Sequence, residues 1–339
     1  VIDTRMFRAA TTGKPAMNVS ARLRIYSCLL AACVVPAAWS NSGAETQGTA
    51  PAMDSLVSAA WLEEHLDDAD LVVLDCTVVI EADGGGGMRS LNGRARYDSG
   101  HIPTAGFADL LGDLSDRDSP FDFTLPSPEQ FAAAMAQLGV DDDSRVVLYD
   151  ASGSVWAARV WWMLRWIGFD RAALLDGGLN AWTAGGRPLS TEPVSRPAGQ
   201  LSVNLRPELI ADRDEVLASI DDDSVTLIDS LPPAHYRGET AMYERPGHIP
   251  GAVNVPVFSA LDETGAYRSL DELASVFEGD RDGRTITYCG GGIAASSNAF
   301  VMTRLGFSDV AVYAGSLQEW TADPDNPMEI DLDSFDSED

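Results

Sequence analysis

Arg284-Thr-Ile-Thr-Tyr-Cys-Gly-Gly-Gly-Ile-Ala-Ala-Ser296 decides the fold. Thr285 to Tyr288 is a short β-branched and aromatic run, the composition of a strand. A helical stretch from Ala295 to Leu305 follows the glycines. Strand, glycine turn and helix make up the unit of an open α/β sheet, which collects its ligands at the carboxyl ends of its strands. Cys289 is the first residue past such an end. The glycines allow positive φ, so the N–H groups of Gly290, Gly291, Gly292, Ile293, Ala294 and Ala295 are expected to turn inward on one anion. The helix adds the positive end of its dipole. Both effects favour a thiolate on Cys289 and would equally favour a persulfide anion.

Working outward, the same pattern occurs twice. Leu71-Val-Val-Leu-Asp75 returns as Val225-Thr-Leu-Ile-Asp229, and Gly100-His-Ile-Pro-Thr-Ala105 as Gly247-His-Ile-Pro-Gly-Ala252. Arg145-Val-Val-Leu-Tyr149 matches Arg284 to Tyr288, Gly168-Phe169 matches Gly306-Phe307, and Leu179 and Trp182 match Leu317 and Trp320. The offset narrows from 154 at Asp75 to 147 at His101, 139 at Tyr149 and 138 at Trp182, so the first copy has longer early loops, including Gly84 to Gly87. A repeat this long is a domain, not a solenoid unit. Each copy alternates short strands with helical stretches such as Pro128 to Leu138 and Ala157 to Ile167, which gives the fold class: α/β, two domains, each a mostly parallel sheet flanked by helices. The Trp-rich segment Val155 to Trp166 reads as core. The expected boundaries are a leader at 1–40, a flexible stretch at 41–53, domains at 54–187 and 208–325, a proline-marked linker at 188–207 and an acidic tail at 326–339.

The 339 residues carry a formal charge of -29 with a single lysine, Lys14. That field repels phosphate backbones and argues against nucleic acid as a partner. Arg22 and Arg24 precede an apolar run from Ile25 to Trp39, too short to span a bilayer, which needs about 20 residues. With Ala38-Trp39-Ser40 after it, the segment reads as a secretory signal, and the expected location is periplasmic or secreted. Leu30-Ala-Ala-Cys33 also resembles a bacterial lipobox, which would make Cys33 a lipid anchor. Cys28 and Cys33 lie in this leader, leaving Cys76 and Cys289 without metal-ligand spacing. No metal or organic cofactor is expected.

Other uses of a glycine turn fit the loop poorly. A phosphate loop wants Lys and Ser or Thr after the glycines, where Ile293 and Ala294 stand. A cysteine-dependent phosphatase needs an arginine six residues past the cysteine, where Ala295 stands. The remaining readings are covalent chemistry at Cys289, a redox-sensing thiol, and a structural cysteine at a tight turn.

The paired domains, the two Gly-His-Ile-Pro segments, the Cys-Gly-Gly-Gly-Ile loop and Gly-Ser-Leu-Gln-Glu-Trp at 315–320 together resemble tandem rhodanese proteins over residues 54 to 325. The resemblance implies sulfur transfer in two displacements. Thiosulfate or 3-mercaptopyruvate leaves a sulfane sulfur on Cys289, and a thiophilic acceptor such as cyanide or a thiol removes it. A protein thiol is a second kind of acceptor, and a noncatalytic persulfide-delivery module is the alternative reading. Asp150 occupies the position of Cys289 in the first copy, and a carboxylate takes up no sulfur, so that domain is expected to be inactive and to wall the cleft. By the same resemblance Arg237 and Arg245 are expected to bind the charged end of the donor. His101 and His248 are expected to be structural, and Cys76 a packing residue. The loop has Gly291 where mercaptopyruvate enzymes often place a serine, and Gly290 where thiosulfate enzymes often place a basic residue.

Overall fold

The computed structural model describes residues 53–84 and 88–331. The leader, Cys28, Cys33, nearly all of the 41–53 stretch and the end of the acidic tail lie outside the described residues. Among the described residues no helix is long and apolar enough to cross a membrane.

The first domain runs β1 (Leu56–Val57), α1 (Ala59–His65), β2 (Leu71–Asp75), β3 (Val78–Ala82), β4 (Met88–Asn92), α2 (Arg94–Ser99), β5 (Gly106–Phe107), α3 (Pro128–Gln137), β6 (Arg145–Tyr149), α4 (Val155–Trp166), β7 (Ala172–Leu175) and α5 (Gly178–Ala184). The second runs β8 (Ile210–Ala211), α6 (Arg213–Ser219), β9 (Val225–Asp229), α7 (Pro233–Tyr236), β10 (Val253–Asn254), α8 (Leu270–Ala274), β11 (Arg284–Tyr288), α9 (Ile293–Arg304), β12 (Val310–Tyr313) and α10 (Ser316–Trp320). The sheets have orders β1-β7-β6-β2-β5 and β8-β12-β11-β9-β10, all parallel, so every strand has its counterpart at the same place. Strands buried on both faces explain why β2 and β6 read as apolar runs rather than alternating ones. The antiparallel hairpin β3–β4 belongs to the first copy alone and accounts for its longer early offset.

The two helices that leave the central strands meet across the domain boundary. Ten of the twelve residues of α4 are buried, as its reading as core requires, and Trp161 sets its ring edge-on to Phe300 of α9 at 4.8 Å. Their neighbours form one continuous apolar cluster drawn from both domains. The seam holds Cys289 and Asp150, each one residue past its strand, beside the facing domain.

Two expected boundaries need correction. The acidic tail does not begin as free chain at 326: His248 and Glu329 exchange backbone hydrogen bonds of 2.9 Å each way, and the Trp320 indole donates to the Pro327 carbonyl. The first copy closes identically, with His101 and Ser190 paired at 2.9 and 2.8 Å and Trp182 bonded to Pro188. In each domain the chain stays attached a few residues past the expected end, through a buried indole N–H that takes a carbonyl partner and an isolated bridge at its histidine. The rest of the linker is strapped to the first domain, with Gly199, Asn204 and Arg206 donating to Ala136, Ile167 and Trp166.

Deleting either ring at the seam should weaken the whole protein. Trp161→Ala and Phe300→Ala are each expected to cost about 3–5 kcal/mol in urea unfolding. A loss under about 1 kcal/mol would show that this contact does not hold the domains together.

Candidate active site

Cys289 directly follows β11 and is buried at 2% exposure. Its N–H donates to Ser316 Oγ at 3.1 Å, and that hydroxyl donates to the Tyr313 carbonyl at 2.7 Å. The carbonyls of Cys289 and Gly290 accept from the N–H groups of Leu317 and Gln318, both at 3.0 Å. The loop carbonyls are thus tied to α10 on one side. On the other, no backbone N–H from Gly290 to Ala295 donates to another group of the described residues. Six amides and the start of a twelve-residue helix are left for an anion. Ser316, φ 52, sits in a strained conformation for a non-glycine residue, held there by its two hydrogen bonds.

The glycines do not act as expected. Of the three, Gly292 alone has positive φ, at 81. Gly290 and Gly291 allow close approach instead: a β-carbon at Gly290 would lie 2.6 Å from the Tyr243 hydroxyl, and one at Gly291 within 3.2 to 3.3 Å of the Gln318 amide, so these side chains would have to shift. The segment carrying Met242 and Tyr243 therefore roofs the loop. Burial pushes the Tyr243 phenol up, with the negative charge of Cys289 and then of Asp122 adding to it, so it stays a neutral hydroxyl.

The first domain shows what the bowl holds. Asp150 Oδ1 accepts from the N–H groups of Ser152 and Ser154 at 2.6 and 3.0 Å, and Oδ2 from Ala157 at 2.9 Å. Burial pushes this carboxyl up to about 6, while those three amides pull the other way. In the first copy a carboxyl group occupies the place that Cys289 takes in the other.

A cation also reaches the loop. Arg159 of α4 is 1% exposed, donates through Nη2 to the Phe123 carbonyl at 3.0 Å, and leaves Nη1 without a partner. A β-carbon at Gly292 would lie 2.9 Å from that Nη1. Sequence reasoning missed Arg159, Tyr243, Ser316 and Gln318. Only Arg159 left a signal, a single charge inside the apolar stretch Val155 to Met163.

Residues 58–185 and 212–323 both match the rhodanese-like domain family. The chain belongs to the rhodanese family. It is similar to the 3-mercaptopyruvate sulfurtransferase of Escherichia coli (strain K12), 35% identical over 80% of this chain and 97% of that protein, and to the thiosulfate sulfurtransferase of Gallus gallus, 32% identical over 78% and 93%. The crystal structure of SseA from Escherichia coli superposes with a TM-score of 0.69 at 34% identity, covering 78% of this chain and 99% of that one.

Within this rhodanese the expected arginines separate. Arg237 pairs through Nε with Glu239 at 2.5 Å and keeps both Nη groups without a protein partner among the described residues. The expectation that Arg245 meets the donor is corrected by its geometry. Its guanidinium donates to the carbonyls of Trp320, Thr321, Asp323 and Asn326 at 2.6 to 3.3 Å, which caps the end of α10 and leaves no fork for an anion. His101 and His248 are structural: each ring stacks on a tyrosine, Tyr97 or Tyr236, and bonds that residue's carbonyl through Nδ1 at 3.0 or 2.8 Å. Cys76 is fully buried, and desolvation, then the charges of Asp75 and Asp150, push its thiol far up, so it packs. One grouping was not visible in the spacing: His248, Glu329 and Asp331 bring three ligand-type atoms within 4.8 Å of one another.

Two predictions follow from this geometry. Gly290→Ala should lower kcat/KM by about tenfold or more, and Tyr243→Phe in the same chain should recover part of it; no loss would mean that the roof is not closed. Because folding raises the Asp150 pKa from 3.8 to about 6, the folded state binds the proton more tightly, and this group lowers stability as pH rises from about 4 through 6. Asp150→Asn should flatten that part of the melting-temperature profile, and an unchanged slope would count against it.

Proposed function

We propose that Cys289 is the sulfur-carrying nucleophile of this sulfurtransferase and that thiosulfate is its preferred donor. The observation that carries the reading is the ring of unengaged amides around Cys289, matched by the carboxylate of Asp150 in the equivalent bowl. The Cys289 thiolate attacks the sulfane sulfur of thiosulfate. The new Cys–S bond forms as the S–S bond to the sulfonate breaks, and sulfite departs with the electron pair. The terminal sulfur of the persulfide is then anionic and lies among the amides, where hydrogen bonds stabilise it. Cyanide or a thiolate attacks that sulfur, and the cysteine thiolate is regenerated.

The donor choice follows from proton accounting. Sulfite leaves as a stable anion and requires no proton, whereas the enolate released from 3-mercaptopyruvate requires one. Gly290 and Gly291 supply no hydroxyl or ammonium for that step. In this reading the free Nη groups of Arg237 bind the sulfonate end. We also place the protein outside the cytoplasm, on the strength of Arg22, Arg24 and the apolar run that follows them.

Intact mass after thiosulfate treatment should rise by one sulfur, about 32 Da, consistent with a persulfide rather than a sulfenate. Cys289→Ser should abolish both this gain and thiocyanate production. In a side-by-side assay at matched concentration thiosulfate should give the higher kcat/KM. Faster turnover of 3-mercaptopyruvate would overturn the donor assignment, and the absence of any mass gain would leave noncatalytic binding as the better reading.

A further inference from the structure

The silent domain contributes more than a wall. An arginine side chain 1% exposed is rare unless an opposite charge compensates it, because burial strips its hydration. Arg159 makes no salt bridge with any carboxylate among the described residues. Its protein partner is the Phe123 carbonyl, and Phe123 is itself held at φ 58, a conformation that a bulky residue adopts only under constraint. The adjacent Asp122 carbonyl accepts from Gln318, the residue that lines Gly291, so the 122–123 turn is fixed against the second domain's loop. Nη1 is unpartnered and fully buried, and it would lie 2.9 Å from a β-carbon at Gly292, whose N–H is one of the unengaged amides.

We propose that Arg159, supplied by the N-terminal domain, is the counter-cation of the anion carried at Cys289, first the thiolate and then the persulfide. The proposal rests on the sulfurtransferase reading only for its second half. Burial pushes Arg159 down to about 10, and the negative charge of Cys289 acts the other way, so the side chain is a cation at neutral pH. The groups facing the loop are few. Arg159 comes from α4 and neutral Tyr243 from the roof. Gln318 and Ser316 come from α10, and its Glu319 is turned away to the Tyr313 hydroxyl at 2.7 Å. Asp122, from the first domain, is felt through Tyr243. Arg159 is thus the buried positive side chain among these groups, and Arg237, more exposed and paired with Glu239, is the cation assigned above to the donor. The acceptor loop of one domain is then electrostatically incomplete without the other, which gives the duplicated but inactive copy a chemical role.

The test is the pH profile of iodoacetamide alkylation, followed by mass mapping of the Cys289 peptide in the full chain. Arg159→Gln removes the charge and should move the profile up by about one pH unit, slowing alkylation at pH 7 by about tenfold. Arg159→Lys should restore most of the shift. Should the glutamine variant not fold, Arg159→Met, which keeps the apolar stem, serves in its place. A folded neutral variant whose profile superposes on the parent's overturns the proposal; so does failure of all three variants to fold, which would make Arg159 a scaffold residue. Sulfur loading of the parent is measured in parallel. A parent that alkylates in an Arg159-dependent manner but never gains 32 Da would sink the sulfurtransferase reading while leaving the thiolate half of this one standing.

Discussion

The orientation of one short stretch of backbone governs the rest of this molecule. The carbonyls of Cys289 and Gly290 are tied to α10, so the amides that follow cannot turn away from the cysteine. Six N–H groups without protein acceptors, most of them on buried residues, would be costly if left unpaired. An anion at Cys289, directly after β11, is the compensation the proposed reading supplies. The strained Ser316, the roof of Met242 and Tyr243 and the small side chains at 290 to 292 all follow from keeping that bowl intact and closed.

The duplication turns this constraint into an internal comparison. Both copies build the bowl at the same place in the same sheet, and they differ in what fills it. Asp150 accepts from three amides of its own loop, with bonds of 2.6 to 3.0 Å. Cys289 makes no such side-chain bonds among the described residues, and in the proposed reading its sulfur is the one extended and shortened by one atom. A carboxylate cannot take up a sulfane sulfur, so in the proposed reading the first domain keeps the architecture without the chemistry. What it retains is a rigid surface, α4 with Arg159, packed against the working helix α9 at Trp161 and Phe300.

Much of this was legible in the sequence because it depends on local rules. A strand followed by cysteine, a run of three glycines, and a helix behind them are read from adjacent residues, and the repeat follows from matching them at a slowly changing offset. The parts that were not legible are those made by distant residues meeting. Tyr243 lies in an irregular segment, and nothing in its neighbourhood says that it will touch Gly290. Arg245 looks like a donor ligand by position, yet four carbonyls at the end of α10 claim it. The closing bridges at Ser190 and Glu329 fall in segments whose composition reads as linker and tail, because a two-residue pairing has no periodicity to detect. The glycine reasoning holds by φ at Gly292 alone, while at 290 and 291 the glycines let the Tyr243 and Gln318 side chains come close.

A chain with a formal charge of -29 that handles anions presents an electrostatic problem. Surface carboxylates in high-dielectric water are screened within about 10 Å at ordinary ionic strength, so they slow the approach of a donor more than they weaken its binding. Inside the cleft the balance reverses. Amide dipoles and a buried guanidinium act through a low-dielectric interior where screening is slight, and there a few fixed positive ends outweigh many distant solvated negatives. The acidic exterior and the electropositive bowl are therefore compatible because they operate in different media. That separation also explains why the cation comes from a buried position on α4 rather than from the rim. A rim arginine on this surface would be drawn into pairs with the abundant carboxylates, as Arg237 is with Glu239, whereas Arg159 lies beyond the reach of all of them among the described residues.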